Sequence, residues 1–150
     1  MIVYNIRRAK YATQLKPSGV ANRWNKDEQF VIYTSGSIAL STLELLAHRN
    51  NINVNNDFKL LSIELEIETK DIIEIFSIDL PVNWRSINSY PMLQEIGSDW
   101  YTNNKSLILK VPSSLIPLEH NYIINTNHPD FKTKVKIKST ENYLWDERLF

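Results

Sequence analysis

Alternating apolar and polar residues mark several β-strands along this chain. The clearest alternation covers residues 59–68, where from Leu61 onward every second side chain is Leu or Ile and the others are Ser or Glu. A period of two residues is typical of a strand with one buried face and one wet face. Shorter β-rich runs predict further strands over residues 2–6, 30–33, 72–76, 107–111 and 122–124.

Two helices are predicted between these strands. Residues 38–48 have apolar side chains at helical spacing, and the preceding Thr-Ser-Gly-Ser supplies a turn and an N-cap. A second helix is predicted within residues 90–100, after a turn that begins at Pro81. Polar stretches predict loops over residues 11–28 and 50–57.

A further alternation near the end of the chain predicts a strand with a lysine-lined face. Its apolar positions are Val135 and Ile137, and its lysines are Lys132, Lys134, Lys136 and Lys138. Lysines on a strand commonly protect a sheet edge from pairing with another chain. We therefore favour edge protection over phosphate binding for this face.

The chain is expected to form one domain over residues 1–150, because it contains no repeat, low-complexity tract or linker. Its 43% hydrophobic content, with 4 Trp, 7 Tyr and 5 Phe, is enough for a packed core. Strands interspersed with helices predict a mixed α/β fold. The sheet should be mixed and largely antiparallel, with helices flanking it.

Composition excludes several classes of function. Lys+Arg and Asp+Glu both number 17, so no general charge attracts nucleic acid or an anionic membrane. The absence of cysteine excludes disulfides, thiolate metal sites and a cysteine nucleophile. The three histidines lack ligand spacing, and no metal is expected. No secretory signal or membrane-spanning run is apparent, which favours the cytoplasm.

The segment from Asn22 to His48 contains the strongest candidates for chemistry. Arg23, Tyr33 and Glu44 follow one another at intervals of 10 and 11 residues, before a strand, at its end and in the next helix. A guanidinium, an aromatic face and a carboxylate are suited to a polyanionic ligand that contains a sugar.

Each of these three residues also has a simpler interpretation. Glu44 either faces solvent or is a partly desolvated carboxylate in a cleft, and periodicity does not choose between the two. Arg23 either makes a surface ion pair or stacks on the neighbouring Trp24, or it captures phosphate in a bidentate manner. Tyr33 is either a core aromatic whose hydroxyl reaches the end of the sheet or a stacking face for a ligand ring.

Ordered motifs over nearly the whole chain resemble the RES-domain family, which supplies the toxins of toxin–antitoxin pairs with Xre-type antitoxins. The blocks are R-W-N at 23–25, V-I-Y-T-S at 31–35, A-L-x-x-L-E-x-x-x-H at 39–48, L-P-x-N-W at 80–84, Q-E-I-G-S-D-W at 94–100, V-P-S at 111–113 and N-Y-I-I-N-x-x-H-P-D-F at 121–131. Any one block is weakly specific, whereas the ordered set is specific.

The resemblance implies a fold similar to ADP-ribosyltransferases and NAD⁺ as substrate. By motif, Arg23 would hold the pyrophosphate and Tyr33 would contact the nicotinamide–ribose end. Glu44 would stabilise the cationic ribose as nicotinamide leaves, and Ser113 would bond a ribose or phosphate oxygen. Asn125 is a weaker candidate, since Asn commonly shapes a turn at such a position.

Two positions depart from the family pattern. Relatives commonly have an arginine directly after the first-strand aromatic, where this chain has Asn5, and Arg7 or Arg8 would have to substitute for it. The stretch before Arg23 is glycine-rich in relatives and ends in Asn22 here. Both changes are expected to affect the anion-binding half of the site more than Glu44.

The resemblance implies three alternative functions and one partner. The first function is NAD⁺ cleavage by phosphorolysis or hydrolysis, and the second is transfer of ADP-ribose to a cellular protein. The third is a non-catalytic interaction module that retains the fold. The implied partner is an Xre-type antitoxin, with a homodimer within a larger toxin–antitoxin complex.

Overall fold

The computed structural model describes residues 1–48, 53 and 57–150. Within these residues, seven strands form one sheet that is flanked by helices. The strands are β1 (Ile2–Arg8), β2 (Val31–Ser35), β3 (Phe58–Leu65), β4 (Ile72–Glu74), β5 (Ile108–Pro112), β6 (His120–Asn125) and β7 (Val135–Tyr143). The helices are α1 (Ile38–His48), α2 (Tyr90–Thr102) and the short α3 (Phe131–Lys134).

The sheet has the strand order β4-β5-β6-β2-β1-β3-β7. β4 and β5 are parallel, and every other neighbouring pair in the described part of the chain is antiparallel. A parallel pair needs a long crossover connection, and the segment containing α2 provides it. The predicted mixed, largely antiparallel sheet is confirmed.

The predicted strands and both predicted helices are present, with ends that differ by a few residues. Apart from the lysine-lined strand, the largest difference is in β3, which ends at Leu65, so the alternation predicted through residue 68 continues beyond the strand. The loop predicted over residues 50–57 lies outside the described residues, apart from positions 53 and 57. No helix in the described ranges is both long and apolar enough to span a membrane.

The predicted lysine-lined strand is half wrong. Lys132 and Lys134 lie in α3, because the chain turns at Pro129 and forms a short helix before β7 begins. Lys134 pairs with the buried Asp71 at 2.9 Å and cannot be part of a solvated strand face. The remaining two, Lys136 and Lys138, do lie on β7, which is an edge strand of the sheet. Edge protection therefore applies to half of the predicted face.

Neighbouring residues of one strand enter different apolar clusters, which shows that both faces of the sheet are covered. Ile32 and Ile124 belong to the cluster that includes Val3 and Leu61. Val31 and Ile123 belong to a second cluster with three tryptophans, Trp24, Trp84 and Trp100. The second cluster joins α2 and the segment around Trp24 to one face of the sheet. That face carries the candidate site.

Candidate active site

Glu44 is a desolvated carboxylate rather than a solvent-facing helical residue. Its helix begins after Ser37, whose hydroxyl accepts a hydrogen bond of 3.1 Å from the backbone N–H of Leu40. The Glu44 side chain is only 18% exposed. Its Oε1 accepts hydrogen bonds from the Ser113 hydroxyl at 2.9 Å and from the Asn121 amide at 2.6 Å.

The two donors to Glu44 are themselves oriented by the backbone and by a neighbouring serine. The Ser113 hydroxyl accepts from the backbone N–H groups of Leu115 and Ile116, at 3.1 and 3.2 Å. The Asn121 side-chain oxygen accepts from the Ser35 hydroxyl at 2.9 Å, which leaves the amide NH₂ facing Glu44. Both donors are therefore fixed before any ligand binds.

Antiparallel register explains why these residues meet. Asn121 on β6 lies opposite Ser35 at the end of β2 and opposite Val111 near the end of β5. Ser113 directly follows β5, and α1 follows β2 after a short turn. The ends of two strands and the start of a third thus converge below Glu44.

These contacts determine the charge of Glu44. Burial by itself raises the pKa of its carboxyl, but the close approach of His48 and the hydrogen bonds from Asn121 and Ser113 act against it and hold the pKa below the ordinary value. Both donors to Oε1 are neutral, and the His48 Nε2 lies at 3.6 Å from Oε2. The carboxylate is therefore ionised at neutral pH without a close lysine or arginine partner among the described residues.

Tyr33 ties β2 to the loop that carries Arg23. Its hydroxyl donates to Oδ1 of Asn25 at 2.7 Å and accepts from the backbone N–H of Trp24 at 3.1 Å. Burial raises the pKa of the phenol far above its usual range. The hydrogen bond from Trp24 and the charge of Arg23 act against this increase, and the charge of Glu44 adds slightly to it. Tyr33 is thus a core aromatic whose hydroxyl lies within the electrostatic field of both charged candidates.

Arg23 stacks on a different ring from the one adjacent to it in the sequence. Its guanidinium lies 4.6 Å from the centre of the Tyr90 ring. Its Nη1 donates to the backbone carbonyls of Trp84 and Arg85 at 3.2 and 3.1 Å. Stacking on Trp24, one of the alternatives for Arg23, is not observed, because that indole packs in the core and is only 2% exposed.

Close packing holds the loop around Arg23 in place. A Cβ added at Gly97 would lie 1.7 Å from the backbone oxygen of Trp24, so only glycine allows α2 to approach the loop. The buried Asn25 side chain donates to the carbonyls of Val20 and Lys26, both at 3.0 Å. This packing positions Arg23 without the glycine-rich approach expected from relatives.

Asn125 lies far from the other candidate residues. It is fully buried at the far end of β6, four residues from Asn121, which places it about 13 Å away along the strand. Its side chain donates to Asn104 at 2.9 Å and accepts from the backbone N–H of Asn127 at 2.9 Å. The turn-shaping interpretation of Asn125 fits this environment.

Sequence reasoning missed the residues that orient the candidates. Asn121 opens the same N-Y-I-I-N block that pointed to Asn125, and its position before a strand was the available signal. Asn5, one of the two departures, donates to the Tyr33 carbonyl at 2.8 Å and accepts from Nε of Arg7 at 2.6 Å. Tyr90 had no distinguishing pattern. In the described ranges, no group of three or more histidines and carboxylates is placed to hold a metal ion.

Comparisons with known proteins show the family of this chain. A family model described as "RES domain" matches residues 2–146. "Toxin Res" of Yersinia enterocolitica is 32% identical over 153 residues and covers 99% of each chain. "Prs ADP-ribosylating toxin" of a Sphingobium species is 31% identical over 128 residues, which are 85% of this chain and 79% of that protein.

A solved structure has the same fold. The match is to the M. tuberculosis MbcT–MbcA toxin–antitoxin complex, with a TM-score of 0.75 at 12% identity. The superposition covers 95% of this chain and 84% of the matched chain. At this identity the match concerns the fold alone.

Proposed function

We propose, from the premise that this chain belongs to the RES-domain family, that it is the toxin of a toxin–antitoxin pair and consumes NAD⁺. The reaction would break the bond between nicotinamide and ribose. The names of the relatives from Yersinia enterocolitica and Sphingobium support the coarse function. The observation that carries the chemistry is the partly buried, ionised Glu44, which accepts hydrogen bonds from two fixed neutral donors.

The charge of Glu44 suits this bond cleavage. As the bond breaks, its electron pair moves to the pyridinium nitrogen, and nicotinamide leaves as a neutral molecule. The ribose carbon left behind becomes cationic, as in other glycosyl transfers. A fixed carboxylate in a water-poor site stabilises such a cation more than it stabilises the ground state. Water then attacks the carbon and releases a proton, or inorganic phosphate attacks and gives a sugar phosphate.

The other candidates have supporting roles in this proposal. Ser113 is fully buried and would act by keeping the carboxylate in place through its hydroxyl. Tyr33 and Arg23 would line the same space, and Arg23 would contact the pyrophosphate with the guanidinium N–H groups that do not bond Trp84 and Arg85. Asn125 has no part in this mechanism, because it is buried at the other end of β6.

The test is a time course of NAD⁺ with purified protein, with and without inorganic phosphate. Hydrolysis should yield nicotinamide and ADP-ribose in both conditions, whereas phosphorolysis should yield the sugar phosphate only when phosphate is present. In either reaction NAD⁺ should be lost, and its loss should depend on Glu44. Undiminished NAD⁺ in every condition would contradict the proposal and would favour a non-catalytic interaction module.

A second activity is favoured by the name of the Sphingobium relative, an ADP-ribosylating toxin. In that case a protein side chain replaces water as the nucleophile at the ribose carbon. NAD⁺ labelled in its adenylate half would then leave label on protein in a cell extract. Label found only in small products would exclude this transfer.

The partner in this proposal is an Xre-type antitoxin, and the site of action is the cytoplasm. The antitoxin would neutralise the toxin by covering the entrance to Glu44, in a complex that contains a toxin homodimer. Co-expression with the antitoxin should restore growth and yield a complex without NAD⁺ turnover. The mass of that complex, measured by light scattering, would give the number of toxin copies.

A further inference from the structure

A second carboxylate, Glu119, lies on the same face of the sheet as the groups that hold Glu44. The register of β5 and β6 places Val111 opposite Asn121. Two residues further on, the Glu119 carbonyl accepts from the backbone N–H of Ser113 at 2.9 Å, so these two residues also lie opposite each other. Residues two positions apart on a strand share a face. Glu119 therefore lies beside Asn121 and Ser113, the two donors to Glu44.

Ser113 separates the two carboxylates. Side chains directly opposite each other on antiparallel strands have Cβ atoms about 4.5–5.5 Å apart, which applies to Ser113 and Glu119. The Ser113 hydroxyl in turn lies 2.9 Å from Oε1 of Glu44. A gap of one serine side chain between two carboxylates leaves room for a water molecule. In inverting glycosidases, carboxylates about 6.5–9.5 Å apart enclose the attacking water in the same way.

The Glu119 side chain is fixed through one carboxylate oxygen, while the other has no hydrogen-bond donor among the described residues. Oε2 accepts from the hydroxyl of Ser37, the residue before α1, at 2.8 Å. None of the ion pairs in the described ranges involves Glu119. The side chain is half-buried, and the preceding Leu118 is 93% exposed, so water reaches this end of the sheet. A fixed carboxylate that no cation neutralises is suited to general base catalysis.

Resting on the proposed function, we propose that Glu119 is the general base that activates a neutral nucleophile, water or a hydroxyl, for attack on the ribose carbon. Glu44 stabilises the cationic carbon, and Oε1 of Glu119 accepts the proton of the attacking water. The water oxygen forms the new bond to carbon as the bond to nicotinamide breaks and leaves its electron pair on nitrogen. Glu119 then releases the proton to solvent, and the products are ADP-ribose and nicotinamide.

This role makes the effect of Glu119 depend on the nucleophile. Water, or the hydroxyl of a protein acceptor, loses a proton as it attacks, and a carboxylate within reach can take it. Azide and inorganic phosphate attack through an oxygen or nitrogen that already carries negative charge, so they need no base, and the charge of Glu119 repels them. Replacing Glu119 should therefore shift the products from ADP-ribose towards the adduct of an anionic nucleophile.

The test compares Glu119→Gln with Glu66→Gln, a control at an exposed glutamate that pairs with Lys136. NAD⁺ is the substrate, with and without azide, and chromatography separates ADP-ribose from the ribosyl azide. In Glu119→Gln, kcat for hydrolysis should fall by about 100-fold, the lower end of the usual effect of a general base. KM should stay within about twofold, because the step that is lost follows binding. The rate of azide adduct formation should not fall, and Glu66→Gln should match the native chain in both reactions.

Ser37→Ala tests the alternative in which Glu119 only holds the start of α1. This variant loses the donor to Oε2 but keeps the carboxylate, so it should lower hydrolysis and azide adduct formation in the same proportion. Glu119→Gln retains an oxygen that can accept from Ser37, and thermal melts check that it folds. If it does not fold, Glu119→Ala with added formate decides. Formate should restore hydrolysis as an external base, and its failure to do so would overturn the assignment.

The outcomes distinguish this assignment from the proposed function. Native hydrolysis in Glu119→Gln, together with lost activity in Glu44→Gln, would overturn the general base and leave the chemistry of Glu44 intact. Equal losses of hydrolysis and azide adduct in Glu119→Gln would also overturn it and would assign Glu119 a structural role. Undiminished NAD⁺ with the native chain in every condition would overturn both.

Discussion

The Asn121 side-chain amide donates a 2.6 Å hydrogen bond to Oε1 of Glu44, which joins β6 to α1 across 77 residues of sequence. The amide is neutral, so it stabilises the carboxylate without cancelling its charge. A lysine or arginine in the same place would lower the pKa further but would also neutralise the field felt by a cationic ribose. The neutral donors Asn121 and Ser113 therefore keep the negative charge available for catalysis.

Glu44→Gln should preserve the fold and lower kcat for NAD⁺ consumption by about 100- to 1,000-fold, the usual effect of removing one electrostatic stabiliser. The amide oxygen of glutamine can still accept from Ser113 and Asn121, so only the charge is lost. The control is Glu66→Gln, whose side chain is 58% exposed and pairs with Lys136 at the sheet edge. Full activity in Glu44→Gln would exclude the proposed role.

Asn121→Ala should move the acidic limb of the rate profile to higher pH. The native pKa of Glu44 lies below its ordinary value, so activity is retained at neutral pH and lost only as pH falls through that lowered pKa. Removing Asn121 removes one of the hydrogen bonds that lower the pKa, and the carboxyl then protonates at higher pH. The measurement is kcat/KM against pH, with the exposed Asn142→Ala as control.

The same contacts link Glu44 to stability. Because its folded pKa is lowered, its contribution to the free energy of unfolding is complete above the ordinary carboxyl pKa and disappears as pH falls through the folded value. Asn121→Ala should therefore reduce the difference in stability between neutral and acidic pH. Urea unfolding at several pH values measures this difference. If Asn121→Ala lost the same free energy of unfolding at every pH, the link between stability and the charge of Glu44 would be excluded.

Tyr33→Phe should destabilise the protein by about 1–3 kcal/mol, because it leaves the buried Oδ1 of Asn25 without its donor. The loop that carries Arg23 also loses its tie to the sheet, so KM for NAD⁺ should rise more than kcat falls. Because the native phenol stays protonated well above neutral pH, it adds no alkaline limb to the rate profile. For stability, the control is Tyr11→Phe, at a tyrosine that is 57% exposed.

Gly97→Ala should lower the melting temperature and raise KM together. The new Cβ would meet the Trp24 carbonyl at 1.7 Å, so either α2 or the Arg23 loop must move. Overpacking of this kind costs about 1–3 kcal/mol, and for a domain of this size each kcal/mol lowers Tm by about 2–4 °C. Met92→Ala on the same helix is the control. An unchanged KM in Gly97→Ala would show that this packing does not influence the site.

Local pattern was sufficient for most of the architecture. The alternation around Leu61 and the turn chemistry before α1 predicted elements that the structure contains, because a strand or helix depends mainly on which neighbouring residues are apolar. The pattern was insufficient at Lys132 and Lys134. Four lysines at even positions are compatible with a strand, but Pro129 turns the chain and the buried Asp71 captures Lys134.

The sequence by itself determined three candidates for chemistry, Arg23, Tyr33 and Glu44, and its resemblance to RES-domain proteins added Ser113. Only the tertiary structure decided the state of Glu44, because its burial and its partners come from β5 and β6, far along the chain. Periodicity within α1 carries no information about a donor 77 residues away. The register of antiparallel strands, which places Asn121 opposite Ser35, turns an ordinary helical glutamate into a fixed, ionised carboxylate.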